Sequence, residues 1–462
     1  MLFNSLHFLV FFTFVTILFF RLKRQRARIW MLLLSSCYFY MTFVPVYILI
    51  LFATIAIDYT AGLLIGKAQG KQRKMLLAAS IFANAGILIY YKYLNFFLSN
   101  LAPALQLIVP HYSIPYIDII LPIGLSFHTF QSMSYVIEVY RNNQKPERDF
   151  ITYSLYVMYY PQLVAGPIER PQNMLHQFHE FKPYNFDNVK EGLSRMAWGF
   201  FKKVVIADRA AIVVDHAFSN QDHLSSGSLI IAAMLYSIQI YGDFSGYSDI
   251  AIGASRIMGI QLMENFNQPY LAKNITEFWA RWHISLSTWF RDYVYIPLGG
   301  NRVGAVRRRV NVFVVFLLSG LWHGANWTFI AWGGIHGTLV TLSGGKKRPD
   351  QPNVFVNAFR VILTFLLATI CWVFFRAPSL SAAGDYLSNC ISGPGGALDL
   401  GMSISGLLFV TALIVVMFVR EKRGTNFLIR NNALFYSYLA GMALVCYFLG
   451  VFSENQFIYF QF

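Results

Sequence analysis

The chain has 462 residues, of which 56% are hydrophobic, 17% aromatic and only 13% charged. Soluble domains carry roughly 25% charged residues, so this composition excludes a soluble globule covered by polar surface. The formal net charge is +15, but the basic residues cluster between apolar runs instead of covering one face, which argues against a nucleic-acid partner. The sequence therefore predicts an all-α protein that crosses a membrane several times.

Short basic clusters separate the apolar runs, as expected of cytoplasmic loops under the positive-inside rule. The first apolar run, residues 6–20, ends at such a cluster, which predicts an N-terminus outside the cytoplasm. Its positive residues follow the apolar run and a small-residue cleavage pattern is missing, so we expect a retained span and not a secretory signal. The clusters are residues 21–28, 67–74, 141–148, 302–309, 346–348 and 420–423.

Further apolar runs, including residues 75–98 and 121–140, have lengths near the ~20 residues that a helix needs to cross a bilayer. The longest polar interval, residues 169–190, is too short for a core of its own. We therefore predict that residues 1–462 form one membrane domain of about eleven transmembrane helices plus re-entrant helices. Four scattered cysteines without metal spacing are expected to pack as small apolar residues. They are Cys37, Cys371, Cys390 and Cys446.

Several histidines in the first half are predicted to have no catalytic role. His128 lies in an apolar run and is interpreted as structural or as funnel lining. His176, His179 and Glu180 suggest a metal site, but no third ligand follows at a suitable spacing, so a solvated face is favoured.

Residues 236–259 form an apolar run that two acids interrupt. Asp243 and Asp249 are six residues apart and fall on opposite sides of a helix, so both cannot face lipid. They either belong to a structural polar network or line a central passage. Residues 198–218 also carry several charges, which predicts that several helices share a polar interior. Three glycines in the run permit close helix packing or a break: Gly242, Gly246 and Gly253.

Residues 278–300 form a short amphipathic segment that is crowded with tryptophan and arginine. One interpretation is an interfacial helix on the cytoplasmic boundary. The other is a re-entrant segment that carries His283 into the same cavity as His323, with Arg281 and Arg291 available to an anionic donor. The segment contains Trp279, Arg281, Trp282, His283, Trp289, Arg291 and Asp292.

Residues 310–342 contain His323 and His336 and have no Asp, Glu, Lys or Arg after the basic cluster that ends at Arg309. The run would make about 50 Å of helix, which exceeds the ~30 Å of the hydrocarbon core. Basic clusters flank both ends, so we predict a hairpin of two helices that turns near residues 324–326; a tilted or kinked single helix is the alternative. An ionisable group at this depth is by default a functional hypothesis, and His323 needs a polar lumen.

Six long motifs follow one another along the chain. They are LPIGLSFHTFQSMSYVIEVYR from Leu121, YYPQLVAGPIERP from Tyr159, YGDFSGYSDIAIGASRIMGI from Tyr241, FWARWHISLSTWFRDYVYIPLGGNR from Phe278, LLSGLWHGANWTFIAWGGIHG from Leu317 and FFRAPSLSAA from Phe374. In this order they resemble the membrane-bound O-acyltransferase (MBOAT) superfamily, and within it the bacterial alginate O-acetyltransferase-like branch. Six motifs in register are more specific than any one of them.

The resemblance implies helices around a central polar funnel, with a thin partition between an outer and a cytoplasmic vestibule. It implies that His323, in the WHG motif, is catalytic and that His283 is the second histidine of the pattern. Members of this branch take an acyl group from a cytoplasmic thioester, acetyl-CoA or an acyl-carrier donor, and pass it outward to a hydroxyl. The acceptor is an exported or cell-wall polysaccharide, often reached through a periplasmic or cell-surface SGNH-type acyltransferase. The resemblance also implies the cytoplasmic membrane of a bacterium.

The predicted chemistry assigns His323 as the general base that takes the proton of an acceptor hydroxyl. His283 is a candidate for donor positioning or proton relay, and Asn326 or Trp322 for donation to the developing oxyanion. His336 is interpreted as structural. No metal and no tightly bound cofactor are expected. The residues assigned to donor binding or funnel lining are Arg281, Arg291, Trp282, Asn326 and Asp243.

Three alternative functions remain open at this level. The first is D-alanyl transfer to teichoic acid, which a sister branch performs. The second is a proton-coupled transporter, since interrupted helices and intramembrane histidines also describe such carriers. The third is a passive subunit of a polysaccharide export machine, in which His323 would have no role.

Overall fold

The computed structural model describes residues 1–108, 117–344, 353–422, 424, 426–452 and 457. Within these ranges every regular element is helical, which confirms the all-α class. Six helical segments are long and apolar enough to cross a membrane, and the total of about eleven spans stays a prediction. The six are Pro45–Lys67, Gly70–Gln106, Ser226–Ile257, Val354–Arg376, Ile404–Glu421 and Asn432–Leu449.

The contacts of the chain divide it into two compact units, and the single membrane domain stays a prediction. The first unit consists of Met1–Asn185 with Ala254–Leu262, and the second of Phe186–Gly253 with Met263–Phe462. The last turn of one long helix, Ser226–Ile257, therefore falls within the first unit.

The described residues of the first unit form nine α-helices. The helix Leu6–Arg21 agrees with the first predicted span, and the side chain of Ser5 accepts a hydrogen bond from the Phe8 amide at its start. Short 3₁₀ and π-helical turns lie at Pro45–Tyr47 and Ile89–Tyr93. The helices are α1 (Leu6–Arg21), α2 (Gln25–Met41), α3 (Ile48–Lys67), α4 (Gly70–Leu88), α5 (Leu94–Gln106), α6 (Leu125–Tyr140), α7 (Phe150–Met158), α8 (Tyr160–Leu163) and α9 (Pro171–His179).

Helix α6 begins four residues later than the apolar run predicts. Gly124 adopts a left-handed conformation, with φ of 76°, directly before the helix. A Cβ atom at this position would lie 2.8 Å from the carbonyl oxygen of Leu163. Gly124 therefore allows both the positive φ and the close backbone approach that fix the start of α6.

Polar residues in the first unit form local networks. The buried carboxylate of Asp58 accepts hydrogen bonds from Ser80 and Asn84 across α3 and α4, a cluster that the sequence analysis did not identify. His128 is buried, and His179 pairs with Glu147 at 2.8 Å. Among the described residues, no group of three or more potential ligands could hold a metal ion.

The second unit carries both histidine motifs, and the part of it that the structure describes forms eleven α-helices. A π-helical segment, Phe201–Ala207, joins the first two helices, and another, Arg291–Tyr295, follows the fifth. The helices are α10 (Phe186–Phe200), α11 (Asp208–Ser219), α12 (Ser226–Ile257), α13 (Ile275–Arg281), α14 (Ile284–Phe290), α15 (Ala305–His323), α16 (Trp327–Leu342), α17 (Val354–Arg376), α18 (Leu380–Ser392), α19 (Ile404–Glu421) and α20 (Asn432–Leu449). 3₁₀ turns lie at Pro269–Leu271 and Gly300–Arg302.

The glycines of α12 serve close helix packing, because the helix runs through them without a break. A Cβ atom on Gly246 would lie 2.7 Å from the carbonyl oxygen of Gly199, and one on Gly253 would lie 2.6 Å from that of Gly192. The backbones of α10 and α12 therefore touch along one edge, as small residues permit in membrane helices.

Candidate active site

His323 lies at the turn of the predicted helical hairpin. It is the last residue of α15, Gly324 is extended, and α16 begins after Asn326. The hairpin therefore turns at residues 324–326, as predicted, and the single tilted helix is excluded. Gly320 packs directly on the carbonyl group of Phe329, and Gly333 packs on that of Phe316, so the two helices approach without side chains between them.

The imidazole of His323 lies in an aromatic enclosure and is 5% exposed. Its ring centroid is 4.9 Å from that of Trp322, 5.2 Å from that of Trp332 and 5.2 Å from that of Phe375. Phe375 belongs to the last turn of α17, so the FFRAPS motif packs against the WHG motif. The enclosure restricts rotation of the imidazole.

His283 occupies the break between two short helices. Helix α13 ends at Arg281 and α14 begins at Ile284, and His283 between them has a φ of 43°. A non-glycine residue in this left-handed region is uncommon and often belongs to a functional site. The segment is thus two short helices and not one interfacial helix, and its re-entry into the membrane stays a prediction.

Asn265 fixes the protonation pattern of His283. The side-chain oxygen of Asn265 accepts hydrogen bonds from the backbone N–H and the hydroxyl of Ser285, at 3.2 and 2.9 Å. The same oxygen lies 3.1 Å from Nδ1 of His283. Because this oxygen can only accept, Nδ1 must carry the proton, and the basic lone pair of the ring is on Nε2.

Trp322 lies beside both histidines. Its ring centroid is 6.3 Å from that of His283 and 4.9 Å from that of His323, and it meets each ring edge to face. The structure therefore brings together the two histidines that the sequence analysis selected, with one buried indole in contact with both.

Two of the residues assigned to the donor are arginines that already have carboxylate partners. Arg281 pairs with Glu277 at 2.6 Å, and Arg291 pairs with its neighbour Asp292 at 2.7 Å. Contact of either arginine with a donor stays a prediction, and a bound anion would compete with these carboxylates.

The remaining three assigned residues have structural partners. Trp282 is buried and stacks on Phe278 at 5.5 Å. Asn326 caps α16 by accepting from the amide of Thr328, and its amide group donates to the carbonyl oxygen of Pro378. Asp243 pairs with Lys203 at 2.7 Å, as the polar-network interpretation expects.

His336 has a partner in the aromatic core. It is fully buried on α16, and Nε1 of Trp279 donates to its Nδ1 at 3.2 Å. This contact agrees with the structural role predicted for His336.

A buried charge cluster lies near the site, where the sequence predicted a polar interior shared by several helices but not the pairs within it. Arg195 binds Asp249 and makes two parallel hydrogen bonds to Glu264, while Lys202 pairs with Asp249 at 2.6 Å. These residues line a cavity of about 40 Å³ that also reaches Asn265. Pairing between charges on separate helices produces no periodic pattern in the sequence. The charged residues within apolar runs were therefore the indication of such a network.

A model of the membrane-bound O-acyltransferase family matches residues 143–378, a range that includes both histidines. The chain belongs to the membrane-bound O-acyltransferase family. It is 42% identical over 388 residues to the "Probable alginate O-acetylase AlgI" of Pseudomonas aeruginosa. The aligned region covers 83% of this chain and 73% of that protein. This family member is therefore an O-acyltransferase of the membrane, which sets aside the transporter and passive-subunit alternatives.

Two other relatives carry different names. The chain is 36% identical over 393 residues to the peptidoglycan O-acetyltransferase of Helicobacter pylori, which covers 79% of this chain and 73% of that protein. It is 29% identical over 303 residues to the teichoic acid D-alanyltransferase of Bacillus subtilis, which covers 61% of this chain and 74% of that protein. The O-acetylating relatives are the more similar ones, so D-alanyl transfer is the more distant alternative.

Proposed function

We propose that this O-acyltransferase takes an acetyl group from a cytoplasmic thioester, acetyl-CoA or an acyl-carrier donor, and passes it outward to a hydroxyl, which leads to O-acetylation of an exported or cell-wall polysaccharide. The observation that carries the proposal is the contact of His323 and His283 with the same buried indole, Trp322. Two imidazoles beside one indole would supply the proton acceptor and the positioning group of an acyl transfer.

His323 acts as the general base. The hydroxyl oxygen of the acceptor attacks the thioester carbonyl carbon while the imidazole takes the hydroxyl proton. The carbon–sulfur bond then breaks, and the thiolate leaves with the proton that the imidazolium returns. The products are an ester and a free thiol, and His323 is restored to its neutral form.

The aromatic enclosure contributes by excluding water. Trp332 and Phe375 pack on the His323 ring at 5.2 Å, so bulk solvent does not surround the base. A thioester in such an enclosure meets the acceptor hydroxyl more often than it meets water, which suppresses hydrolysis.

Trp322 is the proposed donor to the oxyanion. Asn326 is the other candidate, but its amide oxygen and nitrogen are engaged by Thr328 and Pro378. The indole N–H of Trp322 is a donor only and lies on the residue next to His323. One such donor contributes on the order of 100-fold to kcat.

His283 is proposed to position the donor or relay a proton through Nε2, the nitrogen that Asn265 leaves unprotonated. The acceptor is a polysaccharide hydroxyl, either met directly or reached through an SGNH-type acyltransferase outside the membrane. The names of the alginate and peptidoglycan relatives support the polysaccharide class. The charge pattern of the loops supports an N-terminus outside the cytoplasm. The bacterial relatives support the cytoplasmic membrane of a bacterium as its location.

Deletion of the gene with ester analysis of the exported polysaccharide tests this proposal. We expect loss of O-acetyl esters and their return with the wild-type gene, but no return with His323→Ala expressed at the same level. Loss of D-alanyl esters, with O-acetyl esters unchanged, would contradict the acetyl assignment and support the alternative substrate.

A further inference from the structure

Two adjacent cavities in the second unit share part of their walls. The outer cavity has a volume of about 430 Å³ and the inner one about 300 Å³. Thr276, Tyr295, Val312 and Val340 line both of them. The two cavities are therefore adjacent along α15, and together we call them the α15 groove.

The outer part of the α15 groove is cationic. Arg308 and Arg309 line it together with Asn301, and both arginines are exposed. Within the described ranges the guanidinium group of neither arginine has a hydrogen bond or a carboxylate partner, and no described residue that lines either cavity is acidic. Arg281, by contrast, pairs with Glu277. The mouth of the groove thus presents two uncompensated positive charges.

The inner part of the α15 groove is apolar. Trp279, Leu286, Phe290 and Phe316 line it together with three valines. Buried amides or charges in such surroundings cost free energy unless they find hydrogen-bond partners. The inner cavity therefore suits a hydrocarbon chain better than the amide-containing arm of a phosphopantetheine thioester.

The length of the groove matches one leaflet of a bilayer. From Arg308 at the mouth to Ser319 at the inner end, it follows about 16 Å of helix axis. One leaflet is about 15 Å thick, half of the ~30 Å hydrocarbon core. The basic cluster at residues 302–309 is predicted to face the cytoplasm, so the mouth would lie at the headgroup level of the inner leaflet.

We propose that the α15 groove binds one anionic phospholipid, with its phosphate on Arg308 and Arg309 and an acyl chain in the apolar part. Arginine binds phosphate oxygens through two parallel hydrogen bonds, and basic pockets between membrane helices bind anionic headgroups. Arg291, one of the residues assigned to donor binding, lines the inner cavity but pairs with Asp292. Occupancy of the groove by a lipid does not depend on the proposed function, and competition with acetyl-CoA distinguishes the two ligands.

The test uses the full-length protein in bilayers of phosphatidylcholine that contain a minor fraction of phosphatidylglycerol. Lipids that stay bound after extraction are measured by native mass spectrometry. We expect selective retention of phosphatidylglycerol, and a loss of about fivefold in retention for Arg308→Gln or Arg309→Gln. Arg307→Gln removes the same charge from the same turn but does not line the groove, and should retain the lipid as the wild type does.

A second variant distinguishes binding of the lipid inside the groove from its attraction to surface charge. Val312→Trp fills the junction of the two cavities without a change of charge, and should also abolish retention. Equal retention of both lipids, or an equal loss in Arg307→Gln, would overturn the proposal. Displacement of the bound phosphatidylglycerol by acetyl-CoA would also overturn it and would assign the groove to the donor. Unchanged circular dichroism of each variant excludes misfolding as the cause.

Discussion

The side-chain oxygen of Asn265 lies 3.1 Å from Nδ1 of His283 and accepts a hydrogen bond from the N–H group at that position. The same oxygen binds the backbone N–H of Ser285, so the amide cannot be turned without loss of that bond. Asn265 thus selects one tautomer of a histidine that already has a strained backbone. It is a positioning residue, because it acts through the imidazole.

Asn265→Ala is expected to lower kcat on the order of 100-fold, because a misplaced or wrongly protonated imidazole loses its alignment with the reacting atoms. Asn265→Asp keeps the acceptor but adds a charge that favours the imidazolium form, so its pH–rate profile should shift to higher pH. Steady-state kinetics across a pH series measure both effects. A profile identical to that of the wild type in Asn265→Asp would contradict the positioning role.

Trp322→Phe is expected to lower kcat on the order of 100-fold while KM for the donor changes little, because it removes the proposed oxyanion donor but keeps an aromatic ring between the histidines. Trp327→Phe is the control, since Trp327 is 51% exposed on the other side of the turn. If both variants keep wild-type kcat, Trp322 is only a packing residue.

Gly246→Ala is expected to lower the free energy of unfolding by about 1–3 kcal/mol, because the new methyl group would push α12 away from α10. Gly441→Ala on α20 is the matched control, since a Cβ atom there meets nothing within 4 Å. Thermal unfolding in detergent compares the two. Equal melting temperatures would show that the two helices are not in tight contact.

Arg195→Met is expected to destabilise the protein by about 3 kcal/mol, because Asp249 is buried and would keep only Lys202 as a partner. Arg291→Met removes an exposed pair and should cost about 0–1 kcal/mol. Thermal unfolding in detergent compares these two variants with the wild type. A smaller loss in Arg195→Met than in Arg291→Met would mean that the buried cluster contributes no net stability.

The sequence was sufficient for the parts of the site that depend on helix length and local charge. The run around His323 was too long for one span, and this predicted the turn at residues 324–326 that the structure has. The glycines of α12 predicted close packing or a break, and the choice between them depended on the partner helix. That partner, α10, could not be assigned from periodicity.

The sequence was not sufficient to predict which residues outside the helices contribute to the site. Asn265 is 18 residues from His283, in a stretch where no helical or strand period fixes the direction of side chains. The positive φ of His283 was also hidden, since histidine gives no turn signal of the kind that glycine does. Arg195 and Asp249 are 54 residues apart, and only tertiary packing shows that they pair.

The most direct measurement is acetyl transfer by the purified, reconstituted protein from labelled acetyl-CoA, with the wild type compared with His323→Ala and His336→Gln. Both substituted histidines are buried on the same hairpin, so the second variant controls for disruption of its packing. We predict that His323→Ala loses at least about 100-fold in transfer rate while His336→Gln stays active. Transfer by His323→Ala at the wild-type rate would contradict the central claim that this imidazole is the general base.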